Sequence, residues 1–126
     1  MTKAINVKGS FDTPEITLDP EKGLFEISGR SLPANSLNFY SEILTEANNL
    51  LDSASDNLLF KFKMDFISSS STKIFQDLLV DVDNAVKKGK NIRVEWYYRL
   101  FDDDIKEIGE ELCQDLDITI EYIAFE

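Results

Sequence analysis

A run of hydroxyl side chains, Ser68–Thr72, lies in the stretch DFISSSSTKIF, between a segment with strand-like alternation and a segment with helical spacing. Hydroxyls at the start of a helix favour two roles. They cap the helix, because their oxygens accept hydrogen bonds from backbone N–H groups that lack helical partners. They can also carry a phosphate, which the positive end of the helix dipole stabilises. The two roles are compatible, because different hydroxyls of the run can perform them.

A phosphate at this position would change the surface more than the fold. It adds about −1.5 to −2 charges at pH 7. The start of the helix tolerates such a charge, and Lys73 lies close enough in sequence to pair with it. Against a partner, the same charge costs desolvation and repulsion, and Asp65 or Asp102–Asp104 would add to the repulsion if they lie nearby. We therefore expect phosphorylation to change what the protein binds without unfolding it.

The acidic residues Asp102, Asp103 and Asp104, with Glu107 one turn later, form a second candidate site. Carboxylate oxygens suit Mg²⁺ or Ca²⁺, but this spacing lacks the alternation of an EF-hand loop. Acidic residues at the start of a helix cap it and stabilise its dipole. We predict capping as their main role, contact with a protein partner as the second and metal binding as the third. We expect no bound metal and no cofactor.

The composition excludes several classes of enzyme. The 126 residues include no histidine and one cysteine. Without histidine there is no Ser-His-Asp or Cys-His mechanism, and the commonest general base and metal ligand are missing. Paired carboxylates could still serve a small acidic enzyme or ligand-binding domain, but no pair stands out by its spacing. Cys113 cannot form an internal disulfide and is predicted to be an unreactive thiol. We expect a protein that is not an enzyme.

The formal net charge of −11 makes nucleic acids and anionic membranes unfavourable partners. It favours solubility, or attraction to a basic patch on a protein partner. No apolar run approaches the roughly 20 residues of a membrane span. The N-terminal stretch MTKAINVKGSFDTPE lacks the apolar segment of a signal peptide. We expect a cytoplasmic protein, a monomer or weak dimer, that binds other proteins and does not insert into a membrane.

The hydrophobic pattern predicts one α/β domain over residues 1–126 with the order β-β-α-β-α-β-α-β. Residues 1–10 are predicted to be a loose arm in which Ala4–Val7 could form a short strand. Strands that alternate with helices imply parallel crossovers and a mixed sheet, with the helices mainly on one face. The predicted strands are Ile16–Leu18, Leu24–Ser28, Leu58–Phe66, Ile92–Tyr98 and Ile118–Ile123, and the predicted helices begin near Leu37, Ser71 and Asp102.

The same pattern predicts which side chains face inward. The first helix presents an apolar stripe from Leu37 to Leu51 and is expected to end among Asp52, Ser53, Ser55 and Asp56. Phe66 is expected to continue the apolar face of its strand. Trp96 and Tyr98 should share one face of the sheet and Tyr97 the other, which makes Tyr97 a candidate interface residue.

Four stretches are similar to segments of a known family. They are TPEI at Thr13–Ile16, GRSLPANSLNFY at Gly29–Tyr40, FKFKMDFISSSSTK at Phe60–Lys73 and VEWYYRLFDDDIKEIGEE at Val94–Glu111. The last three resemble the G-x-S-x-P-E-N segment with its Phe-Tyr pair, the strand and turn F-x-L-x-Y-F-N-T-S-S-x-K, and the W-x-Y, acidic and E-x-G-E-E segment of the SiaC-type regulatory phosphoproteins of bacteria. The resemblance covers roughly residues 13–112.

The resemblance implies a phosphoryl acceptor. The acceptor of the family is the threonine of its Asn-Thr pair, and counting back from Lys73 without a gap places Ser69 at that position. Ser68 replaces the asparagine, Ala34 replaces a glutamate, and Phe66 replaces a tyrosine. A serine keeps the hydroxyl, so the resemblance implies phosphorylation of Ser69, and the alternatives are Ser68, Ser70, Ser71 and Thr72.

The resemblance also implies a fold like the STAS domain of anti-anti-sigma factors and a partner switch. A dedicated serine/threonine kinase would add the phosphate and a PP2C-type phosphatase would remove it. The unphosphorylated form would bind and activate a diguanylate cyclase. The loop GRSLPANS would lie near the switch, which makes Ser31 and Asn35 interface candidates. The alternative is a STAS-like adaptor in another pathway, such as sigma-factor or stressosome control.

Overall fold

The structure is a computed structural model that describes residues 2–53 and 57–126, which form one mixed sheet and three helices. The strands are β1 (Ile5–Val7), β2 (Glu15–Asp19), β3 (Leu24–Ser31), β4 (Asn57–Ile67), β5 (Asn91–Arg99) and β6 (Ile120–Phe125), and the helices are α1 (Ser36–Leu51), α2 (Ser69–Lys87) and α3 (Asp103–Cys113). No helix within these described ranges is both long and apolar enough to cross a membrane.

The strands lie in the sheet in chain order, from β1 at one edge to β6 at the other. The β1–β2 and β2–β3 pairs are antiparallel, and the pairs from β3 to β6 are parallel. One helix joins the two strands of each parallel pair, and such crossovers are almost always right-handed. Because the three crossovers advance in the same direction, the helices share one face of the sheet. The predicted mixed sheet with helices on one face is confirmed.

The predicted order of elements is wrong by one strand. Ile5–Val7 pair with β2, so the order is β-β-β-α-β-α-β-α-β rather than β-β-α-β-α-β-α-β. The arm is therefore not wholly loose, and the short strand expected at Ala4–Val7 forms within one residue of its predicted bounds. The backbone N–H of Lys3 also donates to Glu46 Oε1 at 2.8 Å, which fastens the arm to α1. A three-residue strand carries too little alternation to be distinguished from an arm by its pattern alone.

Two other boundaries differ from the prediction. The last strand begins at Ile120, two residues later than expected. The first helix ends at Leu51 with Asp52 as its C-cap. The expected terminating residues Ser55 and Asp56 lie outside the described residues.

Stacked aromatic rings hold the helices against the centre of the sheet. Phe62 of β4 stacks on Trp96 of β5 with ring centroids 5.5 Å apart. Phe75 of α2 packs on Phe62 at 5.7 Å, and Tyr40 of α1 meets Phe75 edge to face at 6.2 Å. All four side chains are buried. These contacts fix α1 and α2 relative to the strands whose ends lead into them.

A β-bulge near the end of β4 reverses the predicted direction of one side chain. The β3–β4 register shifts between Gly29 and Arg30, which leaves Asp65 as an extra residue on β4. A bulge of this kind changes which face the following side chains occupy. The expectation that Phe66 continues the apolar face is therefore wrong, because Ile67 is buried and Phe66 is 42% exposed.

The buried carboxylate of Asp83, on α2, holds the connection between α3 and β6. Its Oδ1 accepts hydrogen bonds at 3.0 Å from the backbone N–H groups of Asp117 and Ile118. Its Oδ2 lies 3.1 Å from Lys87 Nζ. Desolvation raises the pKa of Asp83, but Lys87 and the two N–H groups lower it more, so the pKa lies below the ordinary value for aspartate. The ionised form therefore stabilises the fold.

Replacing Asp83 with Asn should lower the free energy of unfolding by about 1–2 kcal/mol at neutral pH, because the buried hydrogen bonds lose their charge. A depressed pKa in the folded state contributes stability above the unfolded pKa, and that stability is lost as the pH falls through the folded pKa. The difference between parent and variant should therefore shrink below about pH 4. Urea denaturation across pH measures this. The control is Asp77→Asn, whose exposed ion pair with Lys73 should change stability by less than about 0.5 kcal/mol.

Replacing Gly109 with Ala should destabilise the protein by about 1–3 kcal/mol, although alanine is the better helix former. A Cβ at Gly109 would lie 2.7–2.8 Å from the indole of Trp96. The indole cannot retreat easily, because it is buried and its Nε1 donates to Ile105 O at 2.9 Å. Chemical denaturation measures the effect, with the exposed neighbour Glu110→Ala as control. A gain in stability for Gly109→Ala would contradict this packing.

Candidate functional site

The hydroxyl run forms the first turn of α2 together with its N-cap. Ser68 is the N-cap, and its Oγ accepts the N–H of Ser71 at 3.2 Å. The backbone N–H of Ser68 donates to Ser31 O at 2.8 Å, which anchors the start of α2 to the end of β3. Thr72 Oγ1 donates back to Ser68 O at 2.9 Å. The predicted capping role is confirmed, and Ser68 performs it.

A chain of buried hydroxyls lies under this turn. Ser31 Oγ donates to Ser71 Oγ at 2.7 Å, and Ser71 Oγ donates to Ser31 O at 3.1 Å. The hydroxyl of Tyr40 lies 2.5 Å from Ser31 Oγ. Since each hydroxyl has one proton, Tyr40 is the donor to Ser31. Burial raises the pKa of Tyr40 to about 12, against a smaller opposing effect of the Ser31 hydrogen bond, so Tyr40 keeps its proton at neutral pH.

Ser31 and Ser71 are both 0% exposed. Ser31 lies beneath the first turn of α2 and cannot contact a partner directly, which corrects its assignment as an interface residue. Its role is to connect the end of β3 with α1 and α2.

Ser70 links the first turns of two helices. Its Oγ lies 2.8 Å from Ser36 Oγ, at the start of α1, and 3.3 Å from Ser68 Oγ. Ser36 is buried, whereas Ser70 itself is exposed. The Ser70 hydroxyl is therefore accessible but already shared.

Ser69 is the member of the run whose hydroxyl is both exposed and unengaged. It is the first residue of α2, and its side chain makes no hydrogen bond to any residue in the ranges 2–53 and 57–126. The first N–H groups of a helix have no intrahelical acceptors, and the helix dipole is positive there. A phosphate on Ser69 would lie where backbone N–H groups and the dipole favour a negative charge.

The acidic run occupies the equivalent position on α3. Asp102 is the N-cap, and its Oδ1 accepts the N–H of Ile105 at 3.2 Å. Asp103 and Asp104 are exposed in the first turn. Capping is thus confirmed for Asp102. Across the described ranges, no three His, Cys, Asp or Glu side chains are placed to hold a metal ion together.

The starts of α1, α2 and α3 lie at one end of the sheet. They follow the carboxyl ends of the parallel neighbours β3, β4 and β5. Asn35 caps α1 by accepting the N–H of Asn38 at 3.0 Å, and it is exposed. Asn35, the hydroxyl run and the acidic run are therefore brought to the same end of the molecule.

Two further candidates are engaged elsewhere. Lys73 Nζ lies 3.0 Å from Asp77 Oδ1 in an exposed pair, which Lys73 could leave for a phosphate at little cost.

Tyr97 lies on the face of the sheet opposite the helices, as predicted. Its hydroxyl donates to Glu95 Oε1 at 2.9 Å, and Lys61 Nζ lies 5.3 Å from its ring centroid. Burial and Glu95 both raise the pKa of Tyr97. Tyr97 is thus part of a network away from the hydroxyl run.

A set of exposed apolar side chains that the sequence pattern did not predict surrounds this end of the sheet. In the part of the chain that the structure describes, the exposed large apolar residues are Phe11, Leu37, Phe66, Leu100 and Phe101. All of them lie in or beside the loops next to the carboxyl ends of β3, β4 and β5. We call these five residues the apolar rim. Concentrated exposure of this kind marks an interaction surface more often than scattered apolar residues do.

The rim had two signals in the sequence. Phe11, Phe66 and Phe101 each stand next to an aspartate. Each also lies where a stretch of regular hydrophobic spacing begins or ends. The expectation that Leu37 faces inward is wrong, because Leu37 is 75% exposed. The buried face of α1 begins at Ser36, one residue before Leu37. The next buried residue is Tyr40, four residues after Ser36.

The family model described as SiaC family regulatory phosphoprotein matches residues 7–125. The chain belongs to the SiaC family of regulatory phosphoproteins. The match runs from β1 into β6, so it extends beyond residues 13–112, which carry the motifs of the family.

The chain is also similar to individual known proteins. An uncharacterised protein of Pseudomonas aeruginosa strain UCBPP-PA14 is 23% identical over 111 residues, which are 88% of each chain. The structure of SiaC of Pseudomonas aeruginosa has a TM-score of 0.89 and 22% identity, covering 98% of this chain and 100% of that one. SiaC in the crystal structure of the Pseudomonas aeruginosa diguanylate cyclase SiaD with its activator SiaC has a TM-score of 0.90 and 22% identity, covering 96% and 99%. These likenesses show a shared fold.

In this SiaC-family chain, Ser71→Ala should lower the free energy of unfolding by about 1–2 kcal/mol, because the hydroxyls of Ser31 and Ser68 lose their acceptor in or near the interior. Ser69→Ala should change it by less than about 0.5 kcal/mol, because the Ser69 side chain is exposed and unbonded. Urea denaturation of the two variants beside the parent measures both. Equal losses for the two variants would show that the roles of the hydroxyls are not divided in this way.

Proposed function

We propose that the protein is a non-enzymatic switch whose binding to protein partners is controlled by phosphorylation of Ser69. The observation that carries the proposal is the division of roles within the first turn of α2. Ser68 and Ser71 are committed to the cap and the interior, whereas the side chain of Ser69 is exposed and makes no hydrogen bond within the described residues. A kinase can reach Ser69 without breaking the cap. Membership in a family of regulatory phosphoproteins supports the same conclusion.

The neighbouring hydroxyls are poorer acceptors. Ser71 is fully buried, so a kinase would have to unfold the turn to reach it. Ser68 and Thr72 both hold hydrogen bonds that define the first turn. Ser70 is exposed, but its modification would separate it from Ser36. Ser70 is therefore the second choice and Ser69 the first.

The phosphate would act on the surface rather than on the fold. The start of α2 stabilises a dianion through its N–H groups and dipole. The hydroxyl of Ser36 bonds to that of Ser70, and the next residue is the exposed Leu37. The exposed Phe66 lies three residues before Ser69. Apolar side chains therefore lie on both sides of the proposed phosphorylation site. A partner that covers them would have to desolvate the phosphate as well, which opposes binding.

The partner that we propose is a diguanylate cyclase, which the unphosphorylated form binds and activates to raise cyclic di-GMP and control biofilm formation or aggregation. A dedicated serine/threonine kinase adds the phosphate and a PP2C-type phosphatase removes it. Two observations support this. The motifs around the hydroxyl run are similar to those of SiaC proteins, and a SiaC of the same fold is described as the activator of the cyclase SiaD.

A STAS-like adaptor of the anti-anti-sigma or stressosome type is the second candidate. The departures from the family's motif at Ala34, Ser68 and Ser69 favour it, because they lie at the proposed switch. Under both proposals residues 1–126 act as one STAS-like domain that binds proteins. The two candidates differ in the identity of the partner.

Ser69→Asp should weaken binding to the cyclase at least about tenfold, because a partner that covers the apolar side chains of Leu37 and Phe66 would have to desolvate the new carboxylate, whereas Ser69→Ala should bind like the parent. Calorimetry with purified GGDEF-domain cyclases of the source organism measures affinity, and cyclic di-GMP formation measures activation. Asn84→Asp, which places the same charge on an exposed position near the other end of α2, should bind like the parent. Normal binding and activation by Ser69→Asp would rule out the switch at this residue.

A further inference from the structure

Phe101 is the most exposed of the apolar rim residues, with a relative solvent accessibility of 91%. It lies between β5 and α3, beside Leu100, which is 46% exposed. Phe101 is also the one non-glycine residue with a positive φ, 72°, in ranges 2–53 and 57–126. A bulky residue with positive φ is unusual and costs roughly 1 kcal/mol or more. Both its backbone conformation and its exposure are therefore unfavourable for the isolated protein.

The turn that carries Phe101 is held firmly in place. Asp102 N–H donates to Arg99 O at 2.8 Å, which closes a four-residue turn with Phe101 at its third position. With a positive φ there, turns of this kind prefer glycine or asparagine. The N–H of Leu100 donates to Phe125 O at 2.7 Å, which ties the turn to β6. The turn thus presents a large aromatic ring to solvent from a fixed backbone.

The charges beside Phe101 define the partner's chemistry. Asp103 and Asp104 follow it, are exposed, and form no ion pair with any residue in the described ranges. The whole chain carries a net charge of −11. An anionic membrane or a second copy of the chain would be repelled by this charge. A protein surface with an apolar pocket bordered by Lys or Arg matches both the ring and the carboxylates.

The turn lies next to the start of α2. Arg99 at the end of β5 pairs with Asp65 near the end of β4, with Arg99 Nε 2.6 Å from Asp65 Oδ1. Neighbouring strands lie about 4.8 Å apart, so a partner on Phe101 extends over the loop that leads into α2. This connection consists of Ser68 alone, because β4 ends at Ile67 and α2 begins at Ser69.

We infer that Phe101 is the anchor by which this protein binds its cyclase partner, inserting into an apolar pocket edged by basic residues, with Asp103 and Asp104 pairing with those residues. The inference rests on the proposed function, because it takes the cyclase as the partner. It explains why a strained, exposed phenylalanine stands where glycine would suit the turn better.

Phe101→Gly separates stability from binding. Glycine relieves the positive φ, so the thermal midpoint of the isolated protein should stay the same or rise. Loss of the ring should weaken binding to the purified GGDEF-domain cyclase about 30-fold, as for a hot-spot residue. Phe101→Leu keeps an apolar side chain and should lose less. In Asp103→Asn/Asp104→Asn, the affinity should fall less steeply with added salt than in the parent.

The outcomes distinguish this inference from the proposed function. If Phe101→Gly binds like the parent while Ser69→Asp does not, the anchor is wrong and the switch stands. If Phe101→Gly loses binding while Ser69→Asp keeps it, the anchor stands and the switch at Ser69 fails. If both variants bind like the parent, or the parent binds no cyclase, both fail. Phe101→Gly could instead keep cyclase binding and lose self-association in sedimentation, or lose binding to neutral phosphatidylcholine vesicles. Either result would assign Phe101 to a different occupant and overturn the inference.

Discussion

The buried hydrogen bonds between Ser71 and Ser31 are the constraint on which the site depends. They require one hydroxyl of the run to face the interior, where it meets the end of β3 and, through Ser31, the hydroxyl of Tyr40. An α-helix turns about 100° per residue, so a side chain two positions away points to nearly the opposite side. Once Ser71 faces inward, Ser69 must face outward. The chemistry available at Ser69 therefore follows from the burial of its neighbour.

The topology of the sheet explains why this turn lies among other exposed functional groups. Each of the parallel strands β3, β4 and β5 leads directly into a helix, and all three helices lie on one face. Their N-termini therefore collect at the carboxyl ends of the strands, where α/β folds commonly place their binding sites. The aromatic stack of Phe62, Trp96 and Phe75 holds the strands and α2 in register, so the surface is presented on a rigid base.

Two local rules of stability are broken at this end of the molecule. Gly89 follows the end of α2 with a positive φ, as the termination of a helix favours. Phe101 has a positive φ without glycine's freedom, and the rim exposes side chains that the core would stabilise. Such violations are expected where a protein binds others, because selection there acts on binding as well as on folding.

The sequence by itself determined the alternation of strands and helices, the mixed sheet, the capped helix starts and the family, because these depend on local periodicity and on residue types at fixed spacing. Tertiary structure alone decided which hydroxyl is buried, because Ser31 reaches Ser71 across 40 residues of chain. It also decided the exposure of Phe66, since a bulge depends on the pairing of two strands. The sequence indicated a short strand at Ala4–Val7, but its pairing with β2 depends on the tertiary structure. The position of the turn at Phe101 likewise depends on the hydrogen bond from Leu100 N–H to Phe125 O of β6, a contact between distant parts of the chain.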